Sequence, residues 1–274
     1  RDAAALVCGP PPPARTGKLN AMIFGLAYAR GELIAFSDSD TRPAPELLRL
    51  LVEELLVDPE AGDTFSPVVM NGEARTSGDT GQALLMNAWY GPSAARAAKR
   101  GSLPFIMGEL VVFTHRAIDA IGGLQVAEGQ LVDDMYLGAC VARAGLKNVM
   151  VPWKLRVVSG AITFAEFVKV FRRWLIFSLS GLPPSFVAAS WLRGVAYGLA
   201  LAGTVGALAL SPWAAPFPAA VCGLLVWSDL RLQRRFSGHR LPLRHAWVAA
   251  ALPFLGLGLI VSSKLNRRVE WRGR

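Results

Sequence analysis

Apolar and polar positions alternate in short blocks over residues 1–158, and beyond that the polar blocks become rare. Leu33–Phe36 is a brief apolar run after Gly31, the pattern of a buried strand. Helical spacing covers Leu19–Arg30 before it and Pro45–Val57 after it. Phe65–Met70 reads as a second strand, closed by the turn dipeptide Asn71-Gly72. Gln82–Lys99 is helical with a break at Gly91-Pro92, and Leu110–Phe113 is again a strand. A short helix over Arg116–Ile121 ends at Gly122-Gly123. A longer one over Asp133–Ala144 is capped by Gly145, and Asn148–Val151 is a last strand. Strands alternating with helices predict an α/β domain over residues 1–158, built on a parallel sheet of few strands.

Phe164, Phe167, Val168, Phe171, Trp174 and Leu175 share one helical face, with Lys169, Arg172 and Arg173 on the other. This amphipathic helix, within residues 159–190, is expected to lie in a membrane interface with Trp174 as an anchor. Residues 191–274 are the apolar remainder. No charged residue occurs between Arg193 and Asp229, and Ser211-Pro212-Trp213 to Pro216-Phe217-Pro218 marks a turn near the middle. One span takes about 20 apolar residues, so two short spans joined by a hairpin fit this stretch. Ala246–Ser263, interrupted by Pro253, is a third candidate, giving two to three C-terminal transmembrane helices. The basic loop from Arg231 through Arg235 to Arg240 and Arg244 should face the cytosol, which places residues before Arg193 there too. The tail Lys264, Arg267, Arg268, Arg272 and Arg274 is equally basic, and a full span over Ala246–Ser263 would leave it on the opposite side. A buried helical bundle is the soluble alternative.

Composition sharpens the membrane reading: 53% of the 274 residues are hydrophobic and 18% charged, with a mean hydropathy of +0.37. A net charge of +9 suits either nucleic acid or an anionic membrane surface. The arginines cluster beside apolar runs and not on an aromatic-interleaved polar face, so no nucleic-acid partner is expected. Cys8, Cys140 and Cys222 show no metal or disulfide spacing and read as small apolar residues in a reducing compartment. Richness in Ala, Arg and Gly favours a bacterial inner membrane over a eukaryotic Golgi.

Four segments carry candidate chemistry. Gly17-Lys18-Leu19-Asn20-Ala21 opens a helix with a cation, suited to an anionic group, though a solvated Lys explains it equally. Asp38-Ser39-Asp40 ends the Leu33–Phe36 strand, where open α/β sheets bind ligands. Paired carboxylates there suit a hard divalent cation carrying a phosphate, or simply a turn. Asp133-Asp134 opens a helix either as a cap or as the place of a general base. Arg173-Trp174 lies on the amphipathic helix, where an inward Arg suits a diphosphate.

In this order, with Phe105 to Leu110 and Gly122-Gly123-Leu124 between them, these segments resemble membrane-bound family 2-type glycosyltransferases. Within that superfamily the likeness is to ceramide glucosyltransferase-like, family 21 lipid enzymes. The resemblance implies a GT-A (Rossmann-like) fold and inverting hexose transfer from a nucleotide-sugar, UDP-glucose above all, to a lipid hydroxyl. It implies Asp38 and Asp40 for Mg2+ or Mn2+ and the donor diphosphate, and Lys18 and Asn20 near the nucleotide. Asp134 is the implied base, with Asp133 as its acidic neighbour, and Arg173 and Trp174 end the family's (Q/R)-x-x-R-W motif. Two features depart from the pattern: Val170 stands at that motif's first position, and no nucleotide-binding first strand precedes residue 15. Pro10 to Pro13 cannot be a strand interior, and the chain starts at Arg1, so the domain is expected to be N-terminally incomplete. A processive polysaccharide synthase or polyprenyl-phosphate glycosyltransferase shares much of the layout. An inactive membrane protein, or a basic nucleic-acid binder, is the non-enzyme alternative.

Overall fold

The computed structural model describes residues 5–70, 74–101, 103–158, 160–182 and 184–266. The Asn71-Gly72 turn and the tail residues Arg267, Arg268, Arg272 and Arg274 lie outside the described residues. Along the chain run α1 (Gly17–Leu26), β1 (Leu33–Ser37), α2 (Leu47–Val57), β2 (Ala61–Phe65) and α3 (Ser77–Leu84). A π-helical segment, Leu85–Tyr90, then leads into α4 (Gly91–Ala98). There follow β3 (Leu110–Thr114), α5 (His115–Ala120), α6 (Asp133–Arg143), β4 (Lys147–Met150), α7 (Phe164–Gly181), α8 (Pro184–Leu210), α9 (Pro216–Ser237) and α10 (Trp247–Leu265). Two compact units form: Arg1–Pro67 with Ala94–Leu155, and Val68–Ser93 with Arg156–Arg274.

The first unit is mixed α/β, with a sheet in the order β1-β3-β2-β4. It is not the parallel sheet expected: β3 runs antiparallel to both β1 and β2, and only β2 and β4 are parallel. Helix–strand alternation reports that a sheet is covered, not which way each strand runs. Leu47, Leu51 and Leu55, four apart on α2, are buried against Leu110, Val112, Val151 and Leu155. The expected Phe65–Met70 strand is divided, with β2 ending at Phe65 and a short strand Val68–Met70 beginning after Pro67, whose ring nitrogen has no hydrogen to give a ladder.

All five residues of β2 are buried, including Asp63, whose two carboxylate oxygens have no hydrogen-bond partner. Burial pushes its pKa well above the ordinary carboxylate range. The folded state therefore keeps a proton that the unfolded chain releases near about pH 4. This stability is complete below that pH and is lost as pH rises towards the folded pKa. Asp63→Asn should flatten that loss, read as thermal midpoint against pH. A variant with the wild-type slope would show that Asp63 is ionised in the fold.

In the second unit, α7 starts with a capping box in which Thr163 Oγ1 accepts from the Glu166 amide and Glu166 caps Thr163 in return. Its predicted apolar face is real, but it is filled from within the unit. Phe167, Phe171 and Leu175 are buried in one cluster with Leu84, Leu85, Val248, Leu252 and Ile260. The break expected at Gly91-Pro92 is instead the π-helical segment, whose wider turn is closed by the Gly91 amide on the Met86 carbonyl. The helix runs on without a break into α4, and the wider π turn just before Pro92 makes room for a ring that has no N–H to give and would crowd the preceding turn.

The expected turn at residues 211–218 separates α8 from α9. The basic stretch was expected to be loop from Arg231, but α9 carries it to Ser237 and ends at Gly238 in the left-handed conformation, φ 82°. Nothing in Asp229–Phe236 breaks a helix, so the helix continues until a glycine can end it. Among the described residues one helix, Leu243–Leu265 (23 residues), is long and apolar enough to cross a membrane, and Gly194–Leu210 is a shorter apolar helix.

Candidate active site

Helix α1 starts where expected. Thr16 caps it, its Oγ1 accepting from the Leu19 amide at 3.0 Å and donating to Asp133 Oδ2 at 3.0 Å. The second bond ties the start of α1 to the start of α6. One residue into α1, Lys18 Nζ lies 2.9 Å from both carboxylate oxygens of Asp38 and donates to the Gly108 carbonyl, also at 2.9 Å. Burial works against the Lys18 charge, but Asp134, Asp38 and Glu109 outweigh it and raise its pKa. Lys18 is therefore not a solvated surface cation.

Asp38 follows directly on β1, and its amide donates to the Glu109 carbonyl at 2.8 Å. The turn beyond it is closed by the Asp38 backbone carbonyl, which accepts from Thr41 Oγ1 at 2.8 Å. Neither carboxylate of the pair is used to make the turn, so the turn alone does not explain two aspartates. Asp40 is exposed. Burial raises the Asp38 pKa, Lys18 opposes it, and Asp40 and Asp133 add to it.

Helix α6 delivers the second acidic pair. Asp134 Oδ2 accepts from the Gly108 amide at 3.0 Å and its Oδ1 from the Met135 amide at 2.7 Å. Asp133 Oδ1 accepts from the Asp134 amide at 3.0 Å. Each aspartate thus gives one oxygen to the next amide in the first turn of α6 and the other to a distant segment, while the N-cap position is held by Val132 with no side-chain cap bond, so the capping reading is not met. Burial raises the Asp134 pKa; Lys18 opposes, Asp133 adds, and the two amides oppose. Glu109, beside Gly108, has an enclosed Oε2 without a hydrogen-bond partner. Burial and then the Asp134 charge push its pKa up to about 7.

Close approach of α6 depends on glycines. A Cβ on Gly108 would lie 2.6 Å from Asp134 Cβ, and one on Gly138 would lie 2.5 Å from the Ile106 amide nitrogen. Asn148, on β4, fastens the same contact by donating to the carbonyls of Leu103 at 2.6 Å and Gly138 at 2.8 Å.

The family model for glycosyl transferase family 21 matches residues 1–274. The chain belongs to that family. It is a glycosyltransferase. No curated protein sequence matches this family 21 chain significantly. Among solved structures it is similar to the mannosyltransferase PcManGT from Pyrobaculum calidifontis, determined in complex with GDP-Man and Mn2+. The two are 18% identical with a TM-score of 0.46, over 93% of this chain and 68% of that one.

Of the residues singled out in this family 21 glycosyltransferase, Lys18, Asp38, Asp133 and Asp134 come together in the first unit. Asn20 is buried nearby on α1, with its amide taken up by the Gly9 carbonyl at 3.1 Å and by Arg15 Nη1 at 3.4 Å. Arg173 and Trp174 belong to the second unit. Arg173 is half-buried, which lowers its pKa. The Trp174 ring meets Tyr90 edge-on at 6.2 Å, and Ser178 links the two residues, bonding the Tyr90 hydroxyl at 2.9 Å and the Trp174 carbonyl at 2.8 Å. Thr16, Gly108 and Glu109 were not assigned roles from sequence. Gly108 and Glu109 stand inside a segment that carried the family resemblance, which is the only signal that marked them.

Among the described residues no cluster of three or more His, Cys, Asp or Glu forms an all-protein metal cage. Asp38 and Asp40 are the carboxylates here that a divalent cation would take, with both Asp38 oxygens shared with Lys18 Nζ at 2.9 Å. They offer hard oxygen donors at a rim where acidic groups outnumber Lys18, and Mg2+ or Mn2+ takes its other ligands from phosphate and water.

Proposed function

We propose that this glycosyltransferase moves a hexose from a nucleotide-sugar, UDP-glucose or a relative, to the hydroxyl of a membrane lipid of ceramide or hopanoid type, inverting the anomeric centre. The observation that supports this most is the meeting of Asp38 and Asp134, one from each acidic pair, around the half-buried Lys18. Asp134 acts as general base, accepting the proton of the acceptor hydroxyl on its carboxylate as that oxygen attacks the sugar. Its pKa, raised by burial with Asp133 adding to it, improves it for that task. Lys18 holds Asp38 in place and contributes positive charge to the donor side. Asp38 and Asp40 would hold the divalent cation, which supplies charge compensation to the departing diphosphate. Asn20 keeps α1 in place beneath Lys18 and the nucleotide. The motif alone assigns Arg173 and Trp174 to the same leaving group. The apolar helix over Leu243–Leu265 supports an acceptor that stays in the bilayer, with the site on the cytosolic side.

The test is to supply the purified protein, in lipid, with a nucleotide-sugar panel and membrane lipid extract, and to identify the product by mass spectrometry. A single-sugar lipid, lost on chelation and restored by Mg2+ or Mn2+, is expected. A polymeric product would move the assignment to a processive synthase, and turnover unaffected by chelation would remove the metal.

A further inference from the structure

The end of α9 and the start of α10 carry a charge pattern that the transfer reaction does not use. Arg231, Arg234, Arg235, Arg240 and Arg244 fall within one short stretch, all exposed. Asp229 is the sole carboxylate between Glu166 and Glu270. It cannot neutralise them, because it is 1% exposed and accepts from Trp89 Nε1 and the Tyr197 hydroxyl, each at 3.4 Å, on the inner side of α9. Among the described residues Arg231, Arg234, Arg235 and Arg240 make no ion pair.

Helix electrostatics explain only part of this. Cations at the C-terminus of α9 meet the negative end of its dipole, which accounts for Arg234 and Arg235. Arg240 and Arg244 stand before α10, at the positive end of a dipole, where cations are unfavourable. Apolar side chains are exposed alongside. Trp227, 54% exposed, lies four residues before Arg231, whose guanidinium sits 4.9 Å from its ring centre. Leu243 is 89% and Trp247 50% exposed. Exposed Trp and Leu interleaved with unpaired arginines match a bilayer headgroup layer, which takes apolar rings and cations at one depth. Nucleic acid would accept the arginines but leave the leucine in water.

We propose that this arginine-rich joint between α9 and α10 is a docking surface for the anionic headgroups of membrane phospholipids. It rests on the membrane part of the reading above, and it adds a lipid-selective contact separate from the acceptor. Arg231, Arg234 and Arg235 lie three and four residues apart, so one helical face presents them together.

The test needs no sugar donor. The protein is placed in bilayers of phosphatidylcholine with phosphatidylglycerol, released, and its retained lipids are counted by native mass spectrometry. Retention of phosphatidylglycerol over phosphatidylcholine is expected. Each arginine near an anionic surface contributes roughly fivefold at low salt, so the triple variant Arg231→Gln, Arg234→Gln, Arg235→Gln should reduce the preference by about 10²-fold. Gln keeps helix propensity, and Arg49→Gln, at an exposed position of α2, should change nothing. Should the triple variant not fold, wild-type enrichment must fall as salt rises from about 50 mM to about 500 mM. Equal retention of both lipids, enrichment that ignores the substitutions or the salt, or displacement of phosphatidylglycerol by an oligonucleotide overturns the proposal. Failed sugar transfer leaves these outcomes unaltered, whereas failure to enter bilayers at all removes the membrane reading with it.

Discussion

Asp134→Asn is expected to lower kcat by roughly 10²- to 10⁴-fold, the usual loss when a positioned general base is removed. The substitution keeps the shape of the side chain but not its proton affinity, and one of its two amide contacts must turn from acceptor to donor. A loss of about 1–3 kcal/mol in stability is the cost to expect from that mismatch, so thermal unfolding has to be followed alongside turnover. The pH profile separates chemistry from folding. The Asp134 pKa is raised by burial, with Asp133 contributing, so activity should fall as acid protonates the carboxylate. That limb should start at higher pH than an ordinary aspartate would give, and the Asn variant should lack it. Normal turnover in a folded Asp134→Asn protein would end the base assignment.

The acidic clusters were visible in sequence because charge placed against the hydrophobic pattern is costly unless a partner compensates it. Asp38-Ser39-Asp40 was legible as a strand end, and β1 stops one residue before it. Asp133-Asp134 was legible as a helix start, and α6 begins there. What joins them was not legible. Lys18, Gly108 and Asn148 work through partners far away in sequence, and no local spacing encodes a hydrogen bond from Asn148 to the Gly138 carbonyl.

The misread elements have related causes. β2, with the sequence Ala-Gly-Asp-Thr-Phe, offers no apolar alternation, yet every residue is buried, with α2 against Thr64 and Ala117 of α5 and Val141 of α6 against Gly62. Its Asp63 is enclosed with no hydrogen-bond partner on either carboxylate oxygen, and burial raises its pKa, a circumstance that sequence does not display. The amphipathic face of α7 was correctly located, but a face of that kind fits a lipid surface and a helical neighbour equally well. Only the packing of Phe167 and Phe171 beside α3 and α10 distinguishes them. Glycines that end helices were readable, as at Gly145 and Gly122. Those that admit a neighbour's backbone were not.

Gly138→Ala tests that last class. The added Cβ would meet the Ile106 nitrogen at 2.5 Å, the Phe105 carbonyl carbon at 2.6 Å and the Phe105 Cα at 2.8 Å. All three are backbone atoms, so no side chain can rotate away, and α6 must separate from the 105–106 segment. Overpacking of this kind costs about 1–3 kcal/mol, despite alanine's better helix propensity. Separation also strains the Asn148 bond to the Gly138 carbonyl and draws Asp134, one helical turn earlier, away from the Gly108 amide. A displacement of about 1 Å at a reacting group can cost on the order of 10²-fold in rate. Gly138→Ala is therefore expected to lower both the thermal midpoint and kcat, with kcat falling further than the unfolded fraction explains. Gly25→Ala, inside α1 where a Cβ meets nothing within 4 Å, should leave kcat unchanged and hold or raise the thermal midpoint, since alanine is the better helix former by up to about 1 kcal/mol. If Gly138→Ala lost stability while the folded fraction turned over normally, the α6 contact would hold the fold together without positioning Asp134.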